Sequence, residues 1–267
     1  MRVGFQGEHG AYSEEAVVKH FGGSVESIPR PLLRDVFESV KELEVDQGLI
    51  PVENTIEGSV GQSWDLLLEY PFSVRGEVIL RIIHSLIANP GVSLGDVRRV
   101  YSHPQALGQC RAFLERHGFE AVASPDTAGS VRMIRDRGLM DAGAIASSRA
   151  AEIYEMSVLA RGIETHPENY TRFLIVGRGG LPPSGGDKTS VAFSVERGSL
   201  VRALRAFEDR GLDIVRLDSR PSLGRPWEYV FFADVLGHVN GSVGDAVREL
   251  EGCSLFVRVL GSYPRAL

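Results

Sequence analysis

Two cysteines in 267 residues, Cys110 and Cys253, leave no disulfide framework to read. They lie far apart without ligand-like neighbours, so two ordinary thiols in a reducing compartment are expected. Lysine is scarce too: Lys19, Lys41 and Lys188 are the only three among 29 basic residues. Acidic residues number 35, and a formal charge of −6 makes the chain a poor bulk partner for nucleic acid or an anionic membrane. No apolar run approaches membrane-spanning length, and no basic-then-apolar leader precedes the first strand at Arg2, so a cytoplasmic protein is expected. The sequence has no Gly-x-Gly-x-x-Gly after that strand and no Gly-x-x-x-x-Gly-Lys loop. Dinucleotide and nucleoside triphosphate chemistry lose their best signals. The seven histidines are scattered without metal-ligand spacing, so neither metal nor organic cofactor is expected.

Present instead is ordinary globular material, 43% hydrophobic, with a composition break at 177–187 where glycine and proline crowd together. No helix or central strand continues through such a stretch, which reads as a flexible linker. Before it, short apolar runs alternate with amphipathic segments, the pattern of an α/β domain with largely parallel strands. Strands are expected at 3–6, 48–52, 79–87, 99–102, 142–146 and 173–176, and helices at 13–21, 32–43, 60–70, 105–117 and 127–137. After the linker the order reads strand, helix, strand, strand, helix, strand, which is the ferredoxin-like plan.

Three strand-to-helix loops are rich in small and polar residues: 7–13, 53–59 and 102–105. In a parallel α/β sheet such loops gather at the carboxyl ends of the strands, where helix N-termini favour anions. Together they suggest a cleft for a small anionic molecule. His103 is the one histidine inside such a loop, either a helix-start residue beside Pro104 or a catalytic one.

Four stretches carry more. They are Pro51-Val-Glu-Asn-Thr-Ile-Glu-Gly-Ser-Val60, Ser102-His-Pro-Gln-Ala-Leu-Gly-Gln-Cys110, Asn169-Tyr-Thr-Arg-Phe-Leu174 and Ser219-Arg-Pro-Ser222. In this order, with this linker, the chain resembles prephenate dehydratases that carry a C-terminal ACT-type regulatory domain, through nearly its whole length. The resemblance implies loss of water and carbon dioxide from prephenate to give phenylpyruvate, on the way to phenylalanine. It implies a catalytic domain over 1–178 with two lobes like type II periplasmic binding proteins. Lobe one would be about 1–75 plus 171–178 and lobe two about 76–170. A linker at 179–187 and an ACT domain at 188–267 would follow.

By the same resemblance Thr171 would be the key catalytic residue, supported by Asn54, Ser102 and Gln109, with Thr55, Gly58, Ser59, Arg172 and Phe173 contacting substrate. Arg172 has two open readings, a bidentate partner for a substrate carboxylate or a structural ion-pair residue. Phenylalanine, as effector, would meet Gly198, Ser199, Leu200, Val201, Leu212, Asp213, Asp218, Ser219, Arg220 and Pro221. Ser199, Asp213 and Asp218 depart from the family's usual Ala, Asn and Glu. Thr55 replaces a common Ser, and Thr165 stands where Asp or Asn is usual. A homodimer or homotetramer is expected, since ACT-type modules pair side by side. Two rivals remain: arogenate dehydratase, differing by one amino for one keto group, and a non-catalytic amino-acid sensor.

Overall fold

The apolar runs become strands and the amphipathic segments between them helices in a computed structural model describing residues 1–222 and 225–266. In chain order come β1 (Arg2–Gln6), α1 (Tyr12–Phe21), β2 (Glu26–Arg30), α2 (Leu33–Lys41), β3 (Gln47–Asn54) and β4 (Gly58–Ser59). Next are α3 (Gly61–Glu69), β5 (Ser73–Arg81), β6 (Ser85–Ala88), β7 (Arg99–Ser102), α4 (Pro104–Gln109) and α5 (Arg111–His117). Then follow β8 (Glu120–Ala123), α6 (Thr127–Asp136), β9 (Ala142–Ala146), α7 (Ser148–Ile153), β10 (Ser157–Arg161) and β11 (Tyr170–Gly177). The rest comprises β12 (Asp187–Ser194), α8 (Leu200–Glu208), β13 (Ile214–Pro221), β14 (Tyr229–Leu236), α9 (Ser242–Glu251) and β15 (Phe256–Pro264).

Two sheets make the two lobes. The first has the order β2-β1-β3-β11-β5 with β4 added to β3, and the second has the order β10-β6-β9-β7-β8. β1 pairs in parallel with β2 and β3, and β7 with β8 and β9, whereas β6 runs antiparallel to both of its neighbours. The expected strand over 79–87 is two strands in different sheets, because the chain crosses between lobes at Ile82–His84. Lobe two therefore begins at Ser85, not near residue 76. The return segment lies against this crossing, with the Ile82 N–H donating to the Asn169 carbonyl at 2.7 Å. The expected helix over 105–117 breaks at Cys110, whose backbone (φ −101°, ψ 12°) ends α4 and starts α5.

One glycine is required where the lobes meet. Gly10 has φ +88°, and a Cβ there would lie 2.7 Å from the Ala150 backbone. The close approach lets the Ser147 hydroxyl donate to the Gly10 carbonyl at 2.7 Å, fixing the loop before α1 against the start of α7.

By packing, the chain divides into two compact units, Met1–Val60 with Val78–Phe173 and Gly61–Glu77 with Leu174–Leu267. This differs from a division at the linker, because α3 belongs with the C-terminal sheet. Fully buried Trp64 packs against Phe232 at 5.0 Å between ring centroids, and the Arg216 guanidinium stacks over the indole at 4.3 Å. Arg258 donates to the carbonyls of Leu68 and Tyr70 at 2.8 and 2.6 Å. The glycine-rich stretch is also tied down. Asp187 accepts from the Ser184 hydroxyl and N–H at 2.6 and 2.8 Å, and Arg75 donates to the Arg178 and Gly179 carbonyls at 2.6 and 2.8 Å. The C-terminal sheet is antiparallel with the order β13-β14-β12-β15, the ferredoxin-like arrangement. Its two helices cover a core that includes Val191, Phe193, Phe207, Val235 and Leu250.

Candidate active site

A cavity of about 810 Å³ opens where the strand-to-helix loops of both lobes converge. Lobe one contributes Tyr12 at the start of α1, Asn54 at the end of β3, and Thr171 and Phe173 on β11. Lobe two contributes His103 and Gln109 at the ends of α4, and Asp126 and Thr127 at the start of α6, with His84 from the crossing segment. Side chains alternate along a strand, so placing Thr171 and Phe173 on the cavity turns Arg172 to the other face.

The polar groups of this wall form one hydrogen-bonded chain. Asn54 Oδ1 accepts the backbone N–H groups of Ile56 and Glu57 at 2.9 and 3.0 Å, an Asx-type turn that fixes the amide's orientation. Its Nδ2 therefore faces inward, donating to Asn169 Oδ1 at 2.8 Å and Thr171 Oγ1 at 3.0 Å. Asn169 is fully buried and donates through Nδ2 to Gln109 Oε1 at 2.9 Å. That same oxygen lies 2.8 Å from His84 Nε2, and His84 Nδ1 lies 2.8 Å from the Tyr12 hydroxyl. Asn169, Tyr12 and His84 were not foreseen from sequence. A loop asparagine, a helix-start tyrosine and a histidine in an apolar run carry no local signal for their meeting.

Helix N-termini, the positive ends of helix dipoles, border the cavity. No Lys or Arg side chain is among the described residues lining it. α4 is capped by His103 Nδ1, which accepts from the Gln105 N–H at 3.3 Å, and α6 by the Asp126 carboxylate. α1 starts with no side-chain cap at Ala11, and Ala11, Tyr12 and Ser13 line the cavity. Its first-turn N–H groups are therefore open to an anion. Glu8, at the cavity rim, is neutralised by a bidentate pair with Arg132 at 2.8 and 3.0 Å. Burial holds the His84 imidazole below its usual range, against opposing effects of the Gln109 hydrogen bond and the Glu164 charge. Burial also pushes the Tyr12 phenol and the Cys110 thiol upward, so both stay protonated near neutrality.

The prephenate dehydratase family model matches residues 3–180. The chain belongs to the prephenate dehydratase family. An arogenate dehydratase/prephenate dehydratase 2 of Arabidopsis thaliana is 39% identical, over 99% of this chain and 73% of its own length. A prephenate dehydratase from Arthrobacter aurescens, solved in complex with L-Phe, matches with a TM-score of 0.90 and 31% identity over 100% of this chain and 90% of that one. A structure described as GqqA, a quorum-quenching acylase, matches with a TM-score of 0.92 and 32% identity over 100% of this chain and 98% of that one.

Within this family assignment, the residues expected at the site separate into three sets. Asn54, Gly58, Ser59, Gln109, Thr171 and Phe173 line the cavity. Ser102 does not: it is fully buried and its hydroxyl donates to the Ile145 carbonyl at 2.7 Å, bonding β7 to the end of β9. Thr55 is a staple, donating to the Glu168 carbonyl at 3.0 Å and accepting the Tyr170 N–H at 2.9 Å, which seats β11 beside the Asn54 turn. Arg172 is not among the described residues lining the cavity and forms an ion pair with Glu53 at 3.8 Å. In the C-terminal module Gly198 takes φ +85° ahead of Ser199 and α8, Leu200 and Leu212 pack on the module core, and Val201 and Asp213 are exposed. Along β13, Asp218 and Arg220 share the half-buried face while Ser219 and Pro221 lie on the exposed one. Asp218 pairs with Arg216 at 2.6 Å, and Arg220 grips Asp65 of α3 at 2.9 and 2.6 Å.

Proposed function

We propose that this chain converts prephenate into phenylpyruvate, expelling water and carbon dioxide together. Prephenate is a dianion with a hydroxyl on a cyclohexadiene ring. The C–O bond breaks with its electron pair, and the carboxylate carbon leaves its bonding pair behind, so the ring becomes aromatic. One proton is taken up, because a dianion gives a monoanion, carbon dioxide and water. The chemistry is downhill, and positioning plus a donor at the departing oxygen supplies most of the help required. The observation that carries this reading is the fixed polarity around Thr171. Its Oγ1 accepts from Asn54, so its own O–H proton is left to donate into the cavity. The open first turn of α1 supports it as a seat for a substrate carboxylate.

One feature favours arogenate as a second reading. Among the described residues the cavity lining includes Glu57 and no lysine or arginine, a lining that suits an ammonium as well as a keto group. Incubating the purified chain with each acid and following phenylpyruvate and phenylalanine separately decides between them. Turnover of neither acid would leave the sensor reading.

The C-terminal module, residues 188–266, is proposed as an ACT-type domain that binds L-phenylalanine through 198–201, 212–213 and 218–221 and lowers turnover. The ferredoxin-like strand order supports it. β13 is an edge strand with Val215 and Leu217 exposed at 49% and 44%, which suits pairing with a second copy in a homodimer or homotetramer. Truncation at the linker is a poor test, because it strips the cover from Trp64. L-phenylalanine titrated into the assay with the full chain, alongside sedimentation, tests both ideas.

A further inference from the structure

We propose that His84 and Tyr12 are positioning residues for the reaction: a neutral Nε2–H imidazole at His84, held by the Tyr12 hydroxyl, sets the orientation of the Gln109 amide. This role rests on the reading of the cavity as the reaction site and follows from hydrogen-bond polarity.

Asn54 Oδ1 accepts two backbone N–H groups, so its Nδ2 must donate to Asn169 Oδ1. Asn169 Nδ2 must then donate to Gln109 Oε1. A reversed Gln109 would set two NH₂ groups against each other, so Oε1 is fixed as an acceptor. His84 Nε2, 2.8 Å from that oxygen, must therefore carry a proton, since a bare nitrogen there would face a second lone pair. In the neutral ring Nδ1 is then the acceptor, and the Tyr12 hydroxyl donates to it at 2.8 Å. With burial disfavouring the cation, the neutral form prevails near pH 7.

Tyr12 has an alternative acceptor in the Ile83 carbonyl at 3.1 Å. If the ring takes up a proton, Nδ1–H donates to the phenol oxygen and the phenol turns to that carbonyl. The Nε2–H toward Gln109 is kept in both charge states. Gln109 Oε1 thus always accepts from two sides, which leaves its Nε2 on the cavity side, 3.4 Å from Glu57 Oε1, to donate to substrate.

The first measurement needs no variant. ¹⁵N NMR of the full chain labelled at histidine should show His84 as the neutral Nε2–H tautomer at pH 7. An Nδ1–H tautomer overturns the proposal whatever the protein's activity, so this outcome is separate from failure of the functional reading. The second measurement is kinetic. His84→Phe should lower kcat by about 10- to 100-fold with KM changed less than about threefold, as loss of precise positioning does. In a Gln109→Leu background the same change should add less than about threefold, because both act on one amide. Full additivity of the two losses, or unchanged kcat in His84→Phe, overturns it. Tyr12→Phe, which removes one hydroxyl and keeps the ring, should raise the Nδ1–H fraction in the same spectrum; an unchanged tautomer ratio removes Tyr12 from the proposal.

Discussion

The cleft and the C-terminal module use their motif residues in opposite ways. In the cleft, Asn54, Gln109 and Thr171 come from three distant stretches and point at one another through Asn169, so each fixes the next one's polarity. In the module, the charged motif residues Asp218 and Arg220 are occupied with Arg216 and Asp65, and they brace β13 and α3. A network of neutral amides holds its atoms in place while leaving a donor over for a ligand. A bidentate ion pair leaves little over. The same kind of sequence evidence therefore falls on an amide network in one region and on ion pairs in the other.

Substitutions in each region sharpen that contrast. Thr171→Ala removes a cavity donor whose polarity the network sets, so kcat should fall by about two to three orders of magnitude with an unchanged melting temperature. Calorimetry beside the rate assay checks both halves. Near wild-type turnover would place the donor elsewhere. Arg220→Ala should do the reverse, costing about 1–2 kcal/mol of stability while kcat for the full chain stays within about twofold. The pair's coupling is measured by a double-mutant cycle with Asp65→Asn.

Ser102→Ala tests a residue that the motif marks as catalytic and the structure buries. Losing its bond to the Ile145 carbonyl should cost about 1 kcal/mol, and any fall in kcat should stay below about tenfold, through the β7–α4 turn alone. A loss as large as that of Thr171→Ala would return Ser102 to the reacting centre.

The smallest effect concerns pH. Burial pushes the Glu14 carboxyl upward, but hydrogen bonds from the Gly10 N–H, His9 and Ser27, with the Arg149 charge, outweigh it and hold the carboxyl below its ordinary value. A depressed folded value means the stabilisation is complete above the unfolded value and fades as pH falls through the folded one. The stability difference between wild type and Glu14→Gln should therefore be constant near neutrality and shrink below about pH 5. Urea unfolding at several pH values reads it directly.

Much of the fold was legible because central strands announce themselves. β9 and β7 match the expected bounds, and β9 is buried at every residue, so its sequence is one apolar run. Of the strands missed, β4 is only two residues long, and β2, β8 and β10 lie at sheet edges, with Pro29 inside β2. Edge strands need neither two apolar faces nor a full ladder, so their sequences look like loop. The crossing at Ile82–His84 was hidden for a related reason: β5 and β6 are both rich in apolar residues, and no local feature marks a change of sheet.

The sequence by itself determined the central strands, the βαββαβ order of the C-terminal module and the family, since periodicity and four spaced motifs are local information. Only the tertiary structure decided direction. It turned Arg172 away and Thr171 inward, because neighbours on a strand face opposite sides. It buried Ser102 behind β9, joined α3 to the C-terminal sheet through Trp64, and brought His84 and Tyr12 to Gln109. Those outcomes depend on contacts between residues tens of positions apart, and no local pattern encodes which side chain will meet which.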